Sequence, residues 1–518
     1  MLVEREIKMK IAKRVLIGLL TLTMMTGIVT GCGDKQGEEK KGGTSTSDVE
    51  ISLWNSGLGT EWLDAMIEGF KEVHPEYNVY YNATADLKAA TTAYGMDDVD
   101  TIDLYLSTKI FDTTHMEPLN ELLNTTADGD KKPLIEKFND SYLALEQTSD
   151  GNIYSLTYGG GVVGIVYNKE LFKKAGVEQL PRTTNELATV CNTLYTQNIT
   201  PLCHFQEGGY WQFIEECWYG QYEGADYYLN TFYGNPTKDT MLAQDGRYEV
   251  LKAMEKFITP DYVLSGSNSS DHTTIQTKFI LGEAAMMASG SWMANEMKAS
   301  GDVDNFVTMK LPVLSAITNK LTTVKKESEL RKVIDAIDAV TDGKAEITTY
   351  QQGADYLVDG ITVSAADWDY LYKARNTVPD NYAGHAAYIP TYSNAKDGAK
   401  EFMKFMYSDK GYQIFLDTLH IELPMQLSSG EIDTSKWNGF ELGQAQLMKT
   451  CAQSFTSFNR SQHALFINGG AKLFAGVTYI EKFSTRNETD RKTAEQVWKQ
   501  VTDSVNDKYE KTWWANIQ

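Results

Sequence analysis

Five cysteines in 518 residues include no C-x-x-C pair, which leaves no basis for a zinc ribbon or a thioredoxin-like redox centre. H-E-x-x-H, G-x-S-x-G and G-x-x-x-x-G-K-[ST] are missing too. Zinc-protease, serine-esterase and phosphate-loop chemistry therefore have no foothold, and any ATP hydrolysis belongs to a partner subunit. The seven histidines lack metal-ligand spacing, so neither metal nor cofactor is expected. Positive charge is scarce: 48 Lys and Arg stand against 70 Asp and Glu, a net charge of −22. Such a surface argues against nucleic acid and against electrostatic docking on anionic lipid, and it tolerates neutral ligands. The uncharged apolar stretch Val15–Val29 has 15 residues, short of the ~20 that a bilayer-spanning helix needs.

What stands at the N-terminus is a secretory pattern. Lys8, Lys10, Lys13 and Arg14 flank the short apolar core, and small residues follow it. Glu4 and Glu6 are unusual for a signal and suggest a start at Met9. Val29, Thr30, Gly31 and Cys32 resemble the lipobox of bacterial lipoproteins, which implies a signal over 1–31 and lipidation of Cys32. Residues 32–48 read as a flexible tether, because they are small, charged and without apolar periodicity. The mature chain would have 487 residues, with 43 basic against 68 acidic groups and a net charge of −25. A chain of that length normally builds more than one core. Cys191, Cys203, Cys217 and Cys451 lie in a compartment that permits disulfides, and their spacing leaves the oxidation state open.

Val49, Ile51 and Leu53 alternate as a strand does. Leu63, Met66, Ile67, Phe70 and Val73 then recur at helical spacing from about Glu61, and Pro75 stops the helix. NVYYNAT and TIDLYLS read as further strands, GVVGIVYN as another, and KELFKKAG as a short helix closed by Gly176. Thr183 and Glu186 are spaced as a capping box. Strands alternating with helices predict an α/β fold with a mostly parallel sheet. The C-terminal third reads as largely helical, while 319–382 shows little regularity.

Three segments resemble the extracellular solute-binding proteins that include maltose- and oligosaccharide-binding proteins. They are LTYGGGVVGIVYNKELFKKAGVEQLPRTTNEL (156–187), KFILGEAAMMASGSWM (278–293) and AYIPTYSNAKDGAKEFMKFMYSDKGYQIFLDTLHIELPM (387–425). Thr184 departs from the tryptophan usual in the first. The resemblance implies two α/β lobes joined by crossings, with a hinge, a ligand cleft between them and a helical C-terminal part. By motif, lobe one takes 49–158 and 388–424, and lobe two takes 159–387 and 425–518. It implies a monomer held by its lipid anchor on the outer face of the cytoplasmic membrane, delivering a carbohydrate to ABC permease subunits.

Sugar rings stack their C–H faces on aromatic planes while their hydroxyls need polar partners. Ala284–Ala288 reads as a strand, and Trp292 past its carboxyl end is the first candidate, since α/β ligands bind outside strand ends. Trp54 and Asn55 end the first strand in the same way, and Tyr158 and Tyr388 lie near the crossings. Glu207 and Trp211 occupy a Gly-containing turn. For Tyr158, Glu207 and Trp211 a structural role is as plausible, and for Asp103 a capping or solvated role is the stronger reading. Gly159, Gly161 and Gly164 fit G-x-G-x-x-G, but they lead into a strand rather than a helix and read as a hinge. The competing functions are an extracellular glycoside hydrolase, for which no carboxylate pair can be assigned, and a binder of a non-sugar solute such as a peptide.

Overall fold

The computed structural model describes residues 46–508 apart from 93, 95–101, 111, 149, 225–244, 302, 429 and 457–478. The signal region, Cys32 and most of the tether lie outside the described residues. Strand β1 (Asp48–Trp54) forms on the alternation of Val49, Ile51 and Leu53, all three buried. The helix Glu61–Val73 lays Trp62, Leu63, Met66 and Phe70 on it. Strands β2 (Asn78–Thr84) and β3 (Leu104–Ser107) then pair parallel to β1 on its two sides. After β4 (Leu156–Thr157) the chain enters a second sheet of β5 (Val163–Asn168), β6 (Leu202–Cys203), β7 (Met286–Gly290) and β8 (Phe306–Thr308), in the order β6-β7-β5-β8.

An antiparallel meander of β9 (Gln351–Gln352), β10 (Asp355–Val358) and β11 (Ile361–Val363) precedes β12 (Thr377–Asp380). Strand β13 (Ala386–Tyr388) re-enters the first sheet, whose order is β2-β1-β3-β13-β4, and β14 (Gln453–Thr456) pairs with β12.

The expected mostly parallel sheet is corrected. Strand β13 runs antiparallel to β3 and β4, and β5 runs antiparallel to β7 and β8. The reason is topological: a strand returning from the other sheet enters at the end where its predecessor left. Strand β7 also lies two residues later than the expected Ala284–Ala288, because β5 pairs with it as far as Gly290.

Two crossings between the sheets are themselves paired. Val162 bridges Asp380, the Asn381 N–H donates to the Gly161 carbonyl at 3.0 Å, and the Thr157 hydroxyl donates to the Tyr382 carbonyl at 3.0 Å. Gly160 has φ +101°, and a Cβ there would meet the Asn381 carbonyl oxygen at 2.6 Å. Gly160, inside the glycine run, therefore lets two backbones pass in contact. A third segment follows the helix Asp409–Leu419, and there the Tyr382 hydroxyl donates to the Glu422 carbonyl at 3.1 Å.

Helical periodicity holds over the return segment but is split. The helices Lys396–Met406 and Asp409–Leu419 are separate, with Ser408 capping the second through the Gly411 N–H at 3.0 Å. Thr183 caps its helix as expected, accepting from the Glu186 N–H, whereas the Glu186 carboxylate turns to Arg182. Cys191, Cys203 and Cys217 are buried thiols.

The irregular region proves to carry its own core. The helices Glu327–Thr341 and Ala365–Arg375 pack with the β9–β11 meander, and Trp368 stacks on Tyr356 at 4.4 Å. Its anchor is Asp367, whose carboxylate accepts from the backbone N–H groups of Thr322, Thr323 and Val324 at 2.9, 2.5 and 3.2 Å. Burial works against that charge, but these donors and the two threonine hydroxyls outweigh it and hold the pKa below the usual carboxylate value. Asp367→Ala should cost about 3 kcal/mol by removing the acceptor of three backbone N–H groups, that of Val324 buried. Urea denaturation checks it, and an unchanged midpoint would contradict the anchoring role.

Candidate functional site

Trp292 lies two residues beyond β7 and caps the short helix Met293–Met297. Its indole folds back over the strand end, where a Cβ on Gly290 would meet the ring at 2.4 Å, so only glycine fits beneath it. The ring is buried, with Tyr210 edge-on at 4.8 Å. Its N–H faces the Tyr210 hydroxyl but makes no hydrogen bond of good geometry among the described residues. Phe205 stands edge-on to both Tyr210, at 5.1 Å, and His272, at 5.8 Å. This is an aromatic wall on the side of the second sheet.

The facing wall rises from the end of β1. The Trp54 ring stacks on His385 at 6.0 Å, and Tyr158 meets His385 edge-on at 5.6 Å. The Tyr158 hydroxyl donates to the Trp54 carbonyl at 3.4 Å, and its ring lies on Trp62 at 5.6 Å. The imidazole Nε2 of His385 is 2.6 Å from the Ser56 hydroxyl. Burial pushes the His385 pKa down to about 4, against the opposing pull of the Asn381 backbone, so the ring is neutral at pH 7. Apart from these walls, a gap of about 20 Å³ at the crossings is lined by Gly161, Ser291, Tyr382, His420, Trp437 and Glu441, among others. Its floor includes His420, stacked on Trp437 at 5.6 Å and bonded to Glu441 at 2.8 Å.

The structure thus brings Trp54, Tyr158 and Trp292 to the two walls and treats the other candidates differently. Asn55 shapes its own loop, its Oδ1 accepting from the Gly59 N–H at 3.0 Å. Asp103 is a buried tie, in keeping with a capping rather than a solvated role. Its oxygens accept from the Glu50 N–H at 2.9 Å, the Ser393 hydroxyl at 2.6 Å and the Ala395 N–H at 3.1 Å. Trp211 is corrected from a ligand contact: it is 1% exposed and packs with Phe257 inside the second core. The helix Trp211–Glu223 begins there, and successive helical residues point about 100° apart, so its neighbour Tyr210 faces Trp292 instead. Tyr388 is walled in by Tyr105 at 5.1 Å and Tyr94 at 5.5 Å. The side chain of Glu207 lies outside the described residues.

Tyr210, His385 and Ser56 were missed. Tyr210 stood next to a chosen tryptophan, whereas nothing in the spacing marks His385 or Ser56. Among the described residues no three His, Cys, Asp or Glu side chains are grouped to hold a metal ion, and no helix is long and apolar enough to cross a membrane.

The model of the bacterial extracellular solute-binding proteins matches residues 56–413. No curated protein matches the chain. Among solved structures, the GacH receptor of Streptomyces glaucescens, studied unliganded and with acarbose, is 16% identical over 90% of this chain and 98% of its own, at TM-score 0.59. A family 1 extracellular solute-binding protein from Bifidobacterium longum subsp. infantis is 15% identical, covering 90% and 100%, at TM-score 0.54. Maltose-bound MalE3 of T. maritima is 13% identical, covering 89% and 99%, at TM-score 0.57. At these identities the likeness speaks for the fold.

The neutral, buried His385 carries a pH prediction. Its folded pKa lies below the unfolded value, so the unfolded chain takes up the proton first, and stability is lost as pH falls from 6.5 toward about 4. His385→Gln should flatten part of that fall in a thermal-midpoint series. The same slope in both proteins would show that His385 is not buried neutral.

Proposed function

Because the chain belongs to the bacterial extracellular solute-binding proteins, a family of binders rather than catalysts, we propose that its cleft captures a neutral carbohydrate, an oligosaccharide, and releases it to ABC permease subunits. As a member of that family it serves an ABC importer. The observation that carries the sugar reading is the pair of aromatic walls, Trp54 with His385 and Tyr158 on one side and Trp292 with Tyr210 on the other. Stacking surfaces beside hydroxyl and imidazole groups suit a ring with apolar faces and polar edges. Relatives of the same fold, solved with acarbose and with maltose, support the same class.

The lobes are taken as 49–158 with 388–424 and 159–387 with 425–518, closing about the paired crossings. Ligand shifts the open–closed equilibrium by its differential affinity for the closed form. The chain acts as a monomer, tethered outside the cytoplasmic membrane through lipidated Cys32 and the segment to residue 48. Trp292 and Trp54 stack the sugar, Tyr158 supports Trp54, and Glu207 accepts hydrogen bonds from sugar hydroxyls.

Isothermal titration against a panel of oligosaccharides, with product analysis, tests the reading. Saturable binding with the sugar recovered intact is expected. Trp292→Ala should weaken binding by at least ~1 kcal/mol, about fivefold, through lost stacking, with its fold checked by circular dichroism. Heat from peptides alone would move the ligand class, and turnover would overturn the binder assignment.

A further inference from the structure

The loop after β1 and the helix after Trp292 touch each other directly across the two walls. The Asn295 side-chain amide donates to the Gly57 carbonyl at 2.7 Å. Gly57 has φ +92°, and a Cβ on it would lie 2.4 Å from a carboxylate oxygen of Glu296. Gly59, at φ +71°, would place its Cβ 3.3 Å from the Asn295 amide nitrogen. Glu296 is not loose: the Gln276 amide donates to it at 2.6 Å, and His272 Nε2 lies 3.3 Å from both its oxygens. The Lys298–Glu61 pair at 3.3 Å spans the same gap, but both side chains are largely exposed and contribute little.

We propose that this contact is a latch. Asn295 and the oriented Glu296 of one wall seat against a loop that glycine keeps free of side chains at Gly57 and Gly59, so the walls close on protein–protein contacts alone. A closed state held in this way is populated before ligand arrives, and its population sets the fraction of molecules ready to bind. The latch does not depend on the ligand being a sugar, and it is tested without one.

The experiment is hydrogen exchange of the full, ligand-free chain, compared with Asn295→Ala, Gly57→Ala and the control Lys298→Ala. Losing one net hydrogen bond should shift the open–closed ratio by about threefold to tenfold. Exchange should therefore speed up by that factor both around 293–298 and across the gap, in 55–60 and beside His385. Lys298→Ala should change neither. Faster exchange confined to 293–298 in Asn295→Ala would mark a local structural role and overturn the latch. Unchanged exchange in both Asn295→Ala and Gly57→Ala would overturn it as well.

Discussion

The pairing of residues 158–162 with 380–385 is the constraint from which the rest of the architecture follows. Val162 bridges Asp380, the Asn381 N–H reaches the Gly161 carbonyl, and Ser291 donates to the Gly160 carbonyl from the second sheet. Two strands that leave and re-enter the first sheet side by side must run antiparallel there, which makes that sheet mixed. The same crossing brings His385 beside Trp54 and sets Ser291, and hence Trp292, against the hinge. Backbone that must pass this closely admits no Cβ at Gly160.

Around that crossing the aromatic groups divide by the direction each element imposes. Tyr210 and Trp211 are adjacent, yet one faces Trp292 and the other packs with Phe257. Trp54 ends a strand and reaches the wall, while Tyr388, near another crossing, is enclosed by Tyr94 and Tyr105. Residue type and proximity in sequence do not separate these cases. The phase of the helix and the face of the sheet do.

Buried carboxylates supply the other organising element. Asp103 ties β1 to the start of the helix Lys396–Met406, joining residues almost three hundred positions apart in one layer. Asp367 gathers three consecutive backbone N–H groups and so closes the small core of the meander. On the central helix Trp211–Glu223, Glu216 pairs with Arg247 at 3.1 Å while burial raises the neighbouring Glu215 to about 8. In each place a charge is buried only with donors or a cation beside it, or it gives up its ionisation.

Strands β1, β2, β3 and β5, the helix Glu61–Val73 and the helix capped by Thr183 were legible in the sequence. Alternation, 3.6-residue spacing and capping residues are local, and β1, β2 and the helix Glu61–Val73 fall where those patterns put them. The positions of Trp54 and Trp292 at strand ends and of Tyr158 at a crossing were also marked locally. Strand direction, the meander at 351–363, the burial of Asp103 and Trp211, and the company of His385, Ser56 and Tyr210 were decided only in the tertiary structure. These depend on which distant segment arrives opposite a residue. A hydrogen-bond partner 290 or 329 positions away, such as Asp103 for Ser393 or His385 for Ser56, leaves no periodicity in the chain to read.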